Sequence, residues 1–84
     1  MVKTTTAAEE ISTGNALFVD DDIEGAITHY SAALEIEPQN YEAYVRRSRA
    51  HAELEEWEAA IADAESAISA DPSGYMGYLR KGIG

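Results

Sequence analysis

The chain has 84 residues, sixteen acidic side chains against six basic ones for a formal charge of -10, and no cysteine. Size scaling lets such a chain bury only roughly 60 to 65% of its unfolded surface, and without thiols it has neither a disulfide framework nor a thiolate metal site, which favours the cytoplasm or the nucleus. The negative charge repels a phosphate backbone and excludes generic nucleic-acid binding, and no apolar run approaches the roughly eighteen residues of a membrane span or the apolar stretch of a signal peptide.

In chain order, residues 1–6 read as a flexible N-terminus, and helices are predicted over 7–19, 23–37, 41–54, 57–70 and 75–83. The second shows the periodicity best, with Ile23, Ile27, Tyr30, Leu34 and Ile36 recurring at three or four residues beside Ala26 and Ala33. Between the first two helices Asp20, Asp21 and Asp22 form a turn; a calcium loop would alternate its ligands around a central glycine and end in a distant glutamate. Pro38 and Pro72 stop the helices before them, and Asn40 and Ser73 can cap those that follow. Asp22, Glu24, Glu56 and Glu58 complement the positive ends of the second and fourth helices. Trp57 and Phe18 are expected to fill spaces between helices, and His51 to pack against a neighbour.

The chain repeats itself at a shift of thirty-four residues. Ala16 falls on Ala50, Glu24 on Glu58, Ala26 on Ala60, Ile27 on Ile61, Ala33 on Ala67 and Pro38 on Pro72, while Tyr41, Tyr44 and Arg46 fall on Tyr75, Tyr78 and Arg80. Gly14, Ser48 and Gly82 keep one place small in three successive units. This period, with its small, alanine, aromatic and proline positions, resembles the tetratricopeptide (TPR) repeat. Residues 7–40 and 41–74 resemble two full repeats and 75–84 the first helix of a truncated third. The resemblance implies an all-α fold of antiparallel helix hairpins stacked as a right-handed superhelix, two and a half repeats long. Alanines at 26, 33, 60 and 67 let neighbouring helices approach closely; enlarging Ala33 to Leu should cost about 1 to 3 kcal/mol.

In the family the first helix of each repeat lines a concave groove. The resemblance therefore places Ile11, Ser12, Asn15, Phe18 and Val19 there, followed by Val45, Arg46, Arg49 and Glu53, and then by Met76, Leu79, Arg80 and Ile83. Five of the six bases, Arg46, Arg47, Arg49, Arg80 and Lys81, lie on groove-forming helices, and the outer helices carry none. Arginine donates two parallel hydrogen bonds to a carboxylate, so a protein partner with an acidic segment is the expected ligand, held by Asn15, Phe18, Arg46, Arg49, Arg80 and Lys81. Against this, helix-surface arginines also pair with neighbours such as Glu42 and Glu53 for at most about 1 kcal/mol each. Arg47 is expected to pack its stem while its head reaches solvent. Tyr78, Leu79 and Ile83 form a candidate self-association surface for a homodimer.

Within the TPR family some members hold the carboxylate tail of heat-shock chaperones in a clamp of lysines, asparagines and an arginine. Asn15 and Arg80 match clamp positions, whereas Ile11, Arg46 and Met76 depart from it. The runs Phe18-Val19-Asp20-Asp21-Asp22 and Tyr78-Leu79-Arg80-Lys81-Gly82 are similar to the N-terminal domain of the SGT-one co-chaperones. That resemblance implies an adaptor joining the ninety-kilodalton heat-shock chaperone to ubiquitin-ligase or immune-receptor assemblies. No cofactor is implied. His29 and His51 sit on different helices without a serine or cysteine nucleophile in register, and no glycine-rich phosphate loop occurs, so no enzyme activity is expected.

Overall fold

The structure is a computed structural model and describes residues 5–71. Four helices follow one another, α1 (Ala7–Val19), α2 (Ile23–Ile36), α3 (Tyr41–Glu53) and α4 (Trp57–Ala70). Each packs against the next, α1 on α2, α2 on α3 and α3 on α4, which makes two stacked antiparallel hairpins. The fifth predicted helix, with Tyr78, Leu79, Arg80, Lys81 and Ile83, lies outside the described residues, as does Ser73.

Local chemistry sets the helix starts. Thr6 accepts from the Glu9 amide at 3.1 Å and the Glu9 carboxylate accepts from the Thr6 amide at 2.9 Å, a reciprocal capping box. Thr5 donates its hydroxyl to Glu10 at 2.8 Å, so the residue before the N-cap is also bonded to the first turn of α1. Glu10 also accepts from His29 of α2 at 2.7 Å, and this bond holds its carboxyl below the ordinary value. Asp22 caps α2 through the Gly25 amide at 3.0 Å, and Asn40 caps α3 through the Ala43 amide at 2.9 Å. The aspartate run is thus a helix-joining turn, with Asp21 in the left-handed region at φ 69°. One period later Glu55 repeats this conformation at φ 60°.

The core is thin and made largely of small residues. Ala26, Ala33, Ala43 and Ala50 are fully buried, with Ala7, Ile11, Ile23 and Tyr30 around them, and Ala60 and Ala67 are buried on α4. The two helices of the first hairpin approach closely where Gly14 faces Tyr30. A Cβ on Gly14 would stand 2.6 Å from the Tyr30 ring, so the ring fits only because α1 presents bare backbone there. In the second hairpin Ser48 takes the place of Gly14, and its hydroxyl donates to the Ala60 carbonyl at 2.6 Å.

Three side chains depart from the sequence reading. Among the described residues Trp57 fills no interface: it is 59% exposed and forms, with Ile61 and Ile68, an open apolar stripe along α4. Ile11, expected in the groove, is 5% exposed and belongs to the core. The Arg47 head is not free in solvent but, with its side chain 23% exposed, is bonded between helices, as described next.

Candidate functional site: a basic groove on the first and third helices

The three arginines of α3 diverge because consecutive helical residues point about 100° apart. Arg47 turns toward α2 and α4. Its Nε and Nη2 donate to the two Asp63 carboxylate oxygens at 2.7 and 2.8 Å, and Nη1 donates to the Ser31 hydroxyl at 3.0 Å. The Tyr44 ring centroid lies 5.9 Å from its guanidinium carbon. Asp63 is buried, and its hydrogen bonds raise the Arg47 pKa further above the ordinary arginine value against the opposing effect of burial. Such a planar fork suits a pair that must satisfy both carboxylate oxygens away from water. Arg47 is therefore a staple across three helices and contributes nothing to the groove.

Arg46 and Arg49 turn the other way. With Asn15, Phe18 and Val19 from α1 and Tyr30 from α2 they line an open groove of about 330 Å³. This brings together four of the residues singled out in the sequence, Asn15, Phe18, Arg46 and Arg49. Arg80 and Lys81 fall outside the described residues. Arg46 is already partly engaged, donating from Nε to Glu42 one helical turn away at 2.8 Å. Arg49 is exposed and has no carboxylate partner among the described residues. Its guanidinium carbon sits 5.7 Å from the Phe18 ring centroid, a cation–π arrangement that leaves its hydrogen-bond donors toward solvent.

The floor of the groove is polar. Tyr30, 2% exposed, donates its hydroxyl to Asn15 Oδ1 at 2.6 Å. With Oδ1 occupied, the Asn15 amide nitrogen is the group left to donate. Burial raises the Tyr30 pKa, while the nearby Arg46 and Arg49 charges pull it down. The sequence reading treated Tyr30 as a packing residue alone; here it both fills the first hairpin and carries the groove floor. Its signal was a hydroxyl on an otherwise apolar helix face, since a buried tyrosine needs a partner for that group.

His51 approaches two acids, Glu56 at 2.7 Å from Nδ1 and Asp63 at 3.6 Å from Nε2. It packs as expected, against the Arg47 staple and the start of α4. Glu56, at the N-cap of α4, makes no side-chain capping bond there.

Comparison with known proteins agrees with this architecture. The family model of the TPR repeat matches residues 14–54. Over 79 residues, 93% of this chain, it is 46% identical to Protein SGT1 homolog of Oryza sativa subsp. japonica. It is 44% identical over 70 residues, 83% of this chain, to the Small glutamine-rich tetratricopeptide repeat-containing protein 2 of Saccharomyces cerevisiae. A further relative, Hsp70-Hsp90 organizing protein 3 of Arabidopsis thaliana, is 40% identical over 78 residues, 93% of this chain. The chain spans only 22%, 20% and 14% of the lengths of these three relatives. Two stacked hairpins, the thirty-four-residue register and these similarities agree, and the chain belongs to the tetratricopeptide-repeat family.

Proposed function

We propose that this chain is the partner-binding domain of an SGT-one-like co-chaperone adaptor, and that it captures an acidic segment of a protein partner in the groove between α1 and α3. The observation that carries this reading is the segregation of charge. Arg46 and Arg49 face the groove with Asn15, while α2 and α4 carry acids and no lysine or arginine. A partner carboxylate approaching the groove meets two positive charges and an amide donor; approaching the outer wall it meets repulsion. The role is binding and non-catalytic. In the whole protein it would serve to join the ninety-kilodalton heat-shock chaperone to ubiquitin-ligase or immune-receptor assemblies, in the cytoplasm or nucleus.

The test is Arg46→Glu combined with Arg49→Glu, measured as binding of a fluorescent acidic peptide with circular dichroism alongside. Binding is lost while the helical signal stays unchanged; unaltered binding removes the reading. The incomplete chaperone-tail clamp is tested with a peptide ending in Glu-Glu-Val-Asp, for which a flat titration excludes a tail receptor.

A second reading, self-association, is favoured by the exposed Trp57, Ile61 and Ile68 of α4. Sedimentation showing only monomer at high concentration excludes it.

A further inference from the structure

The arginine count of the sequence suggests a groove built for a run of acids, but the side chains distribute its charge differently. Arg47 is consumed by Asp63 and Ser31, and Arg46 is shared with Glu42. Among the described residues, Arg49 is the groove arginine without a carboxylate partner. Its guanidinium rests over Phe18, and Val19, also lining the groove, is 84% exposed. One uncommitted cation thus stands beside an open apolar surface. Among the described residues, two or three adjacent carboxylates would compete for one uncommitted anion position, and a second would meet the Arg46–Glu42 pair. A single carboxylate with an aliphatic neighbour uses both features, the acid on Arg49 and the apolar side chain against Val19 and Phe18. Phe18 also shields one side of the Arg49 charge from water, which strengthens its attraction for a carboxylate.

Resting on the binding role proposed above, we propose that this groove selects an internal Asp or Glu side chain flanked by an aliphatic residue, rather than an acidic tract or a chain terminus. Val19 and Phe18 determine that specificity, and Arg49 is the anion contact. An internal side chain is chosen over a terminal carboxylate because an internal acid carries a neighbour on each side, to lie against Val19 and Phe18 while Arg49 takes the carboxylate.

The test is a panel of short acetylated and amidated peptides titrated by fluorescence anisotropy against the full chain. One carries Leu-Glu-Leu at its centre, a second Ser-Glu-Ser, a third Glu-Glu-Glu and a fourth Leu-Gln-Leu; a fifth is the first with a free terminal carboxylate. The Leu-Glu-Leu peptide binds tightest, about tenfold tighter than Ser-Glu-Ser, the scale of burying an aliphatic side chain. It also binds tighter than Glu-Glu-Glu and Leu-Gln-Leu, and freeing its carboxyl terminus changes nothing. In Val19→Ser, whose side chain packs nothing in the core, the preference for Leu-Glu-Leu over Ser-Glu-Ser disappears. If Leu-Glu-Leu and Ser-Glu-Ser bind alike, or Glu-Glu-Glu binds best, the selection rule is wrong and the acidic-partner reading survives. If the free-terminus peptide binds best, the groove is a terminal-carboxylate receptor and the rule is wrong. If no acidic peptide binds, both the rule and the reading it rests on fall.

Discussion

Tyr30 donates its phenolic hydroxyl to Asn15 Oδ1 at 2.6 Å across the α1–α2 interface, so a side chain that fills the first hairpin also orients a polar group of the groove. Tyr30→Phe keeps the ring and removes only this bond. It should cost about 1 kcal/mol of stability, the ordinary net worth of a buried hydrogen bond, and should weaken acidic-peptide binding because Asn15 is no longer held. Urea unfolding and peptide titration of the same variant measure both effects. A stability loss with unchanged binding would confine Tyr30 to a packing role.

The Arg47–Asp63 pair couples α3 to α4. Removing one partner, as in Arg47→Met, leaves the buried Asp63 carboxylate without its main donor and should cost about 3 kcal/mol. Replacing both, Arg47→Met with Asp63→Leu, should recover most of that loss, because the uncompensated charge disappears with its partner. A double-mutant cycle by chemical denaturation reads the coupling directly. Peptide binding in the double variant should be retained, since neither residue reaches the groove.

Both hairpin turns place a residue with a side chain in the left-handed region, Asp21 at φ 69° and Glu55 at φ 60°. Aspartate tolerates that conformation better than glutamate, because its short side chain bonds locally. Glu55→Gly should therefore stabilise the chain by about 0.5 to 1 kcal/mol, the strain relieved less the added freedom of the unfolded glycine. Asp21→Gly should gain less. Thermal unfolding of the two variants side by side tests the order.

The hairpins were legible in the sequence because helical periodicity and the thirty-four-residue register act through different residues and agree. Asn40 caps where the sequence predicted, Asp22, expected only to complement the positive end of α2, also caps it, and alanines 26, 33, 60 and 67 are buried as close approach requires. The groove was legible in part: Asn15, Phe18, Arg46 and Arg49 converge as expected. The fate of Arg47 was not, since adjacent arginines look equivalent until a partner is found for each. A clue was present, because Asp63 shares the face of α4 that buries Ala60 and Ala67, and a carboxylate there requires a cation. Trp57 misled for the opposite reason: a large aromatic at a repeat position suggests burial, yet the described helices leave it 59% exposed.

The account turns on which wall of the hairpin stack receives the partner. Backbone chemical-shift mapping by heteronuclear NMR during titration with the Leu-Glu-Leu peptide measures this directly. Shifts clustered at Asn15, Phe18, Val19, Arg46 and Arg49 are the predicted result. Shifts confined to α2 and α4, around Trp57, Ile61 and Ile68, would contradict it.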